Sequence, residues 1–254
     1  MEPFTVATAR NLDLLRTAVW LVRVMLRAEV GSADALEREI QRRLERGVEK
    51  SGNLRRYVQG RAPCFKRGSG PRLRMTVWPE RAEQFWPGTL PWVMTPFWYL
   101  LEATPTAQVL LECVFMLPEH LQEDLLTHLP EESAAKPELA FLSEHAAYEL
   151  ARQRTPFALG ALACGMHWAR LSADYGTERR FAVAITWMLF EFAQCDGPLR
   201  PHFYHLLNYF LLCCAQRNYP PGICLPMDLA EVQRYHARRQ AYLDWDPTEQ
   251  ESPW

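Results

Sequence analysis

Apolar residues recur at three- and four-residue steps along most of the chain, which is the pattern of amphipathic helices. The first such stripe predicts a helix over residues 10–29. Gly31 and Ser32 end this helix, and Asp34 and Glu37 form a capping box that opens a charged helix reaching about residue 46. The first stripe consists of Leu12, Leu15, Val19, Val22 and Leu26.

The same pattern dominates the second half of the chain. Thr155 stands before Pro156, which predicts a helix start with a cap residue followed by a proline in the first turn. A short helix is predicted over 53–59. Residues 64–79 are predicted either as irregular chain or as chain that holds one short extended piece at 73–78. The further predicted helices are 106–116, 119–129, 138–153, 157–172, 177–195, 201–216 and 228–243. The fold class predicted from these elements is all-α.

Composition agrees with a globular helical protein. Hydrophobic residues make up 48% of the 254 residues, and only 12 glycines are available for tight turns. The seven cysteines are odd in number and show no C-x-x-C spacing, which favours reduced core thiols over a disulfide framework. The first residues show no signal-peptide pattern and the apolar runs reach only about a dozen residues, so we expect a cytoplasmic protein without a membrane partner.

Charge divides the chain into two parts. Residues 1–81 carry 17 basic and 9 acidic side chains, a balance of +8, whereas residues 82–254 carry 11 basic and 21 acidic ones, a balance of −10. This asymmetry predicts a small basic helical module over 1–81 and a larger acidic helical domain over 106–254. The aromatic, proline-rich residues 82–105 would join them.

The basic residues are densest between residues 53 and 74. This stretch holds seven of them together with three glycines, two prolines and no acid. Such a cluster favours phosphate through charge and bidentate guanidinium contacts, so we predict nucleic-acid binding, with duplex DNA favoured. The predicted binding residues are Arg55, Arg56, Arg61, Lys66, Arg67, Arg72 and Arg74.

Two further interactions are predicted within this stretch. Backbone N–H groups of residues 66–70 would form a small anion-binding nest. Tyr57 and Phe65 would stack on bases if the nucleic acid were single-stranded.

Other interpretations remain open. The basic stretch could be a solvated loop whose arginines pair with the acidic half of the chain, or it could bind another anionic ligand. In a different functional class, the acidic helices would form a protein–protein interaction module, such as an immunity protein or a complex subunit, or would support a homo-oligomer. An enzyme with an unrecognised site is the weakest alternative.

No residue set predicts a catalytic, metal or cofactor site. His202 and His205 share a helix face, but Cys213 and Cys214 lie over ~12 Å further along the same helix, too far for one tetrahedral zinc site. Glu191 is expected to face solvent or pair with an arginine, and no nucleophile elbow, zinc-protease or kinase motif occurs.

Buried roles are expected for the other conspicuous side chains. His167 is expected in the core. Four tryptophans are expected to fill the seam between the two parts rather than to line a ligand pocket. They are Trp78, Trp86, Trp92 and Trp98.

Residues 54–63 carry a family resemblance. The sequence LRRYVQGRAP is similar to the end of the recognition helix in repressors of the lambda repressor and Cro helix-turn-helix family. The positions that match are Leu54, Arg55, Arg56, Tyr57, Gly60 and Pro63. The resemblance implies that the aliphatic and aromatic positions anchor a short helix while the polar positions face DNA.

The following passage extends this resemblance. Residues 85–89, FWPGT, and 96–98, PFW, resemble a group of uncharacterised bacterial proteins in which a repressor-like piece precedes such a passage. These proteins are often carried on mobile elements. Over residues 33–100 the resemblance implies a nucleic-acid-binding accessory or regulatory protein of a bacterial mobile element or defence system.

Overall fold

The computed structural model describes residues 9–44, 53–59, 61–67, 73–101, 104–126, 144–195 and 197–215. Apart from one short hairpin, these residues form helices, so the all-α prediction is confirmed. The helices are α1 (Ala9–Arg27), α2 (Ala33–Arg43), α3 (Asn53–Val58), α4 (Val77–Phe85), α5 (Pro91–Met94), α6 (Phe97–Leu100), α7 (Ala107–Val114), α8 (Glu119–Leu125), α9 (Glu144–Gln153), α10 (Pro156–Leu171), α11 (Tyr175–Cys195) and α12 (Arg200–Ala215). The hairpin strands are β1 (Phe65–Arg67) and β2 (Leu73–Met75), and a 3₁₀ turn spans Gly197–Leu199.

A first hydrophobic core, here called the N-terminal core, lies among α1, α2, α3, the hairpin, α4 and α5. Trp20 and Phe65 are both fully buried there, with ring centroids 5.8 Å apart in an edge-to-face arrangement. Leu36, Ile40 and Leu54 are likewise fully buried against them. These short elements are therefore held together by one shared set of apolar side chains.

A second hydrophobic core, here called the C-terminal core, lies among α6 to α12. Helices α10 and α11 pass through its centre, and most residues of α10 are buried because that helix is apolar on nearly every side. Gly160 of α10 permits a close approach: a Cβ there would lie 2.4 Å from Thr95 Oγ1 and 3.0 Å from Pro96 Cδ. The close contact positions α10 against the turn between α5 and α6.

Helix α1 belongs to both cores. Leu12, Leu15 and Val19 pack into the C-terminal core, whereas Trp20 and Leu21 pack into the N-terminal core. A single rigid helix therefore links the two parts.

Two arginines of α1 lie over tryptophans between the cores. The Arg16 guanidinium is 5.2 Å from the Trp98 ring centroid, and that of Arg23 is 3.7 Å from the Trp92 centroid. Trp98 Nε1 donates to the carbonyl of Trp92. Trp92 and Trp98 thus face α1, while Trp78 and Trp86 are buried in the N-terminal core.

One predicted cap is correct and one is wrong. Thr155 caps α10, since its hydroxyl accepts from Ala158 N at 3.1 Å, with Pro156 in the first turn. At α2, however, the cap is Ser32, whose hydroxyl accepts from Ala35 N at 3.2 Å. The predicted capping box fails because Ser32 starts the helix two residues earlier than Asp34.

Residues 64–79 also differ from the prediction. Among the described residues of this range, β2 lies within the predicted extended piece at 73–78, whereas β1 and the start of α4 at Val77 were not predicted. The predicted helix 228–243 lies outside the described residues, as do 127–143. Helix α4 crosses residue 81, and the predicted domain boundary there stays a prediction. None of the described helices is long and apolar enough to cross a membrane.

Candidate nucleic-acid interface

Helix α3, which carries the first two predicted arginines, is held in place by one buried side chain and two hydrogen bonds. Leu54 is fully buried, and its backbone N–H donates to the Glu37 carboxylate of α2 at 3.2 Å. Tyr57 is half-buried, and its hydroxyl donates to Thr76 Oγ1 at 3.3 Å. Burial raises the pKa of Tyr57 above its ordinary value. The helix therefore has a defined orientation despite its six residues.

The hairpin is fixed at its base by different contacts. Cys64 N donates to Thr17 Oγ1 of α1 at 3.1 Å, and Thr17 is fully buried. Thr76 N donates to the Cys64 carbonyl at 3.0 Å and closes the strand pair. Because Thr76 Oγ1 also accepts from the Tyr57 hydroxyl, Thr76 connects α3 to the hairpin.

Three predicted arginines are fully described, and all three are exposed. They are Arg55 and Arg56 on α3 and Arg61 just after it. Within the described parts of the chain, none of the three forms an ion pair. The predicted pairing of these arginines with the acidic half is therefore not found among the described residues.

The hairpin brings three further predicted residues together at the backbone level. Lys66 pairs with Arg74 and Arg67 pairs with Leu73 in the antiparallel register. Two basic residues thus occupy the same register position. Their side chains are outside what the structure describes, and Arg72 and the glycines of the predicted nest at 66–70 lie outside the described residues altogether.

Base stacking by Phe65 is excluded by its burial. Its side chain is fully buried against Trp20 and no face of the ring meets solvent. The prediction fails because the aromatic residue anchors the hairpin to α1. Tyr57 retains partial exposure, with its hydroxyl bound to Thr76.

The spacing of α2 and α3 bears on how DNA would be read. Nine residues separate Arg43, the end of α2, from Asn53, the start of α3. In helix-turn-helix motifs about three or four residues join the two helices. Helix α3 is also only about 9 Å long at 1.5 Å per residue. The resemblance to repressors stays a prediction, and the spacing of α2 and α3 and the length of α3 differ from those of a helix-turn-helix motif.

Arginines on the neighbouring helix α2 are arranged differently. The Glu39 carboxylate accepts from Arg42 Nη2 at 2.7 Å and from Arg43 Nε at 2.8 Å. These hydrogen bonds lower the pKa of Glu39 to about 2. Arg43 also lies 4.8 Å from the Trp86 ring centroid. The charges of Arg42 and Arg43 are thus partly neutralised at the surface.

Sequence reasoning missed the residues that hold the interface in place. Glu37 and Thr17 position α3 and the hairpin through buried hydrogen bonds to backbone N–H groups. A signal for Glu37 exists in the sequence, since it adjoins the apolar seam of Leu36 and Ile40 on one helix. Thr17 carries no such signal.

The other side chains considered as catalytic or metal-binding candidates are packed or paired within the fold. His167 is buried and its Nε2 lies 2.9 Å from the Leu100 carbonyl, as expected for a core histidine. Glu191 pairs with Arg154 at 3.1 Å. Burial lowers the pKa of His202, and His205 adds to this effect. Among the residues that the structure describes, no three His, Cys, Asp or Glu side chains are grouped to hold a metal ion.

Comparisons of the chain with protein-family models, with curated proteins and with solved structures find no match.

Proposed function

We propose that this chain is a nucleic-acid-binding accessory or regulatory protein that contacts mainly the phosphate backbone. The contacts come from a surface of the N-terminal core, here called the basic surface. Its described members are Arg55, Arg56 and Arg61. The sequence adds Lys66, Arg67, Arg72 and Arg74 to the proposed contacts. The observation that carries the proposal is the exposure of Arg55, Arg56 and Arg61, without ion pairs to the described residues, on elements fixed by buried contacts.

The contacts that hold α3 in place favour binding because they reduce the conformational entropy that binding would cost. A side chain on a mobile loop must be ordered together with its backbone, whereas α3 is already held by Glu37 and Thr76. Only the arginine side chains then lose freedom on binding. Exposed guanidinium groups match phosphate oxygens in geometry and charge. This combination supports phosphate contact over a passive solvated loop.

The setting of this function rests on other observations. The resemblance of residues 33–100 to mobile-element proteins supports a bacterial mobile element or defence system. Four buried free thiols support a reducing compartment such as the cytoplasm. They are Cys64, Cys113, Cys164 and Cys214.

Direct binding with a matched control tests the proposal. Fluorescence anisotropy would compare the wild-type chain with the triple variant Arg55→Gln, Arg56→Gln, Arg61→Gln on labelled duplex DNA at low salt. The control variant Arg152→Gln, Arg179→Gln, Arg180→Gln removes the same charge from exposed positions on α9 and α11. We expect the first variant to weaken binding at least about tenfold and the control to change it by less than about threefold.

Two results would contradict the proposal. Folded wild-type protein that does not bind duplex DNA, single-stranded DNA or RNA at low salt would remove nucleic acid as a ligand. Equal weakening by the two triple variants would show a non-specific response to net charge, without a role for the basic surface.

A second candidate function is supported by an acidic surface on α7 and α8. Glu112, Glu119, Glu123 and Asp124 are exposed, and Phe115 between the two helices is 43% exposed. None of these carboxylates forms an ion pair within the part of the chain that the structure describes. We propose here a contact for a basic protein partner or for a second copy of this chain.

The acidic surface is tested by neutralising its carboxylates. The variant Glu119→Gln, Glu123→Gln, Asp124→Asn should lose a cross-linked partner or an oligomer that the wild-type chain forms at low salt. Persistence of the same complex in this variant would contradict the second candidate.

A further inference from the structure

The acidic surface on α7 and α8 lies in a part of the sequence without basic counter-charges. No lysine or arginine occurs between Arg81 and Lys136. Helices α7 and α8 fall within this stretch, so the electrostatic potential at their surface is negative. Four carboxylates are exposed there, those of Glu112, Glu119, Glu123 and Asp124. The acidic surface therefore attracts a cationic group from outside its own helices.

An exposed aromatic ring adjoins these carboxylates. Phe115 is the C-cap residue of α7 and is 43% exposed. It follows Glu112 by three residues, a spacing that places both side chains on one face of the helix. An arginine guanidinium pairs with carboxylates and also stacks on aromatic rings, whereas an ammonium group is compact and strongly hydrated. The acidic surface therefore fits a partner that presents arginines.

This chain itself presents such arginines on the basic surface. Arg55, Arg56 and Arg61 are exposed, and neither they nor the four carboxylates form an ion pair with any residue that the structure describes. Helix α3 packs on α1 and α2, whereas α7 and α8 pack on α10. Because α1 is packed into both cores, these positions are fixed. The two surfaces are complementary in charge but do not meet within one copy.

We propose that the chain self-associates head to tail, with the basic surface of one copy on the acidic surface of the next. This inference rests on the second candidate function and names its partner as a second copy. Two different surfaces meet in such a contact, so each copy uses both at once and forms rings or open chains. Nucleic acid and a second copy then compete for the same arginines. Nucleic-acid binding therefore separates the copies.

Sedimentation velocity of the full chain measures the self-association. We expect dimers or larger species at about 0.1 M salt or below, where charges interact over about 10 Å or more. We expect monomers at about 1 M salt, where the screening length is about 3 Å. Folded wild-type protein that is monomeric at low salt would overturn the inference, as would oligomers that persist unchanged at high salt.

Charge reversal tests which surfaces meet. The variant Arg55→Glu, Arg56→Glu and the variant Glu119→Arg, Glu123→Arg should each lose self-association, because like charges then face each other. A chain with all four substitutions should recover it, since every contact regains opposite charges with the signs exchanged. Failure of this folded chain to recover would overturn the contact between the two surfaces.

Two further variants separate the contact from net charge. Arg179→Glu with Arg180→Glu reverses two exposed charges on α11 and has the same net charge as the reversal on α3, but it should associate like the wild type. Phe115→Ala leaves net charge unchanged and should weaken association at least about fivefold. Loss of association in the α11 variant, or wild-type association in Phe115→Ala, would contradict the proposed contact.

A short labelled duplex that accommodates one copy tests the competition. Its addition should convert wild-type oligomers into one-to-one DNA complexes. DNA that binds the oligomers without separating them would overturn the competition. Self-association without any DNA binding would overturn the proposed nucleic-acid function but support the contact between copies, whereas DNA binding by a chain that stays monomeric at low salt would do the reverse.

Discussion

The two cores of this protein place their buried carboxylates against different partners. In the C-terminal core, the fully buried Glu178 pairs with Arg170, and the partly buried Glu191 pairs with Arg154. In the N-terminal core, the buried Glu37 accepts from the backbone N–H of Leu54, while Arg42 and Arg43 of α2 pair with Glu39 at the surface. The arginines on α3 are exposed there and have no ion pair among the described residues.

This difference has a physical reason. Helices α10 and α11 are long and bury most of their surface, so charged groups at their edges are stabilised by partners. The elements of the N-terminal core are short and leave many backbone groups without helical partners. The Glu37 carboxylate and the Thr17 hydroxyl fill that need, whereas Arg55 and Arg56 on α3 stay exposed.

The largest predicted effect breaks the N-terminal core itself. Phe65→Ala removes the ring that contacts Trp20 and should lower the free energy of unfolding by about 3–5 kcal/mol. The loss should also weaken DNA binding, because the hairpin loses its anchor. Denaturant unfolding followed by tryptophan fluorescence measures the first effect, and a loss below about 1 kcal/mol would contradict the buried position of Phe65.

A second prediction concerns the close contact in the C-terminal region. Gly160→Ala places a Cβ 2.4 Å from Thr95 Oγ1 and should cost about 1–3 kcal/mol of stability, with DNA binding unchanged in the folded fraction. Gly31→Ala is the matched control, since a Cβ there meets no atom within 4 Å. Equal stability of the two variants in a denaturant titration would disprove the contact.

A third prediction isolates the carboxylate that holds α3. Glu37→Ala leaves the buried Leu54 N–H without its acceptor and should cost about 1–3 kcal/mol. Glu37→Gln retains an acceptor oxygen and should recover part of that loss. If the two variants are equally stable by thermal unfolding, hydrogen bonding to Leu54 is not the role of Glu37.

A fourth prediction uses pH to test a second carboxylate of the N-terminal region. Glu83 accepts from the backbone N–H groups of Gly88, Thr89 and Leu90 at 2.6, 2.9 and 2.9 Å. Burial raises its pKa, but these hydrogen bonds outweigh burial and the pKa lies below its ordinary value. The stabilisation is therefore complete above the ordinary carboxyl pKa and is lost as pH falls through the lowered one.

Glu83→Gln should accordingly be less stable than the wild type at neutral pH, by on the order of 1 kcal/mol. The difference should shrink as the pH falls through the lowered pKa of Glu83, because protonation removes the same interaction from the wild type. Denaturant midpoints measured at neutral pH and along an acid series check this. A stability difference that grows in acid would contradict the lowered pKa of Glu83.

The sequence predicted much of this fold because helix patterns are local. The stripe from Leu12 to Leu26 and the Thr155–Pro156 start depend on residues within a few turns, and both helices were predicted within about two residues. The hairpin was predicted only in part: β2 lies within the expected extended piece at 73–78, but β1 was not expected, because each strand has only three residues. Its stability comes from Phe65 packing on Trp20, 45 positions away in the chain.

The candidate site was likewise predictable only in its local features. Composition alone identified the arginines, since charge density is visible in any stretch of sequence. The roles of Thr17 and Glu37 depend on partners 47 and 17 residues away, Cys64 and Leu54. Only Glu37 has a signal in the sequence, its place beside the apolar seam of α2, and that signal does not reveal its partner. Exposure of Arg55 and Arg56 likewise depends on which face α3 buries.

The triple variant that should lose the most DNA binding should also show the smallest change in stability. Replacing Arg55, Arg56 and Arg61 by glutamine should change the free energy of unfolding by less than about 0.5 kcal/mol, because these exposed side chains pair with no described residue. Thermal unfolding checks this directly. A large loss of stability would mean that the three arginines support the N-terminal core.

The most direct test of the central claim is the salt dependence of duplex DNA binding by wild type and this triple variant. Each phosphate contact contributes about −0.9 to the slope of log affinity against log salt concentration. The account predicts a steep wild-type slope that becomes shallower by about 2 to 3 in the variant. A slope that the three substitutions leave unchanged would show that the basic surface does not contact phosphate.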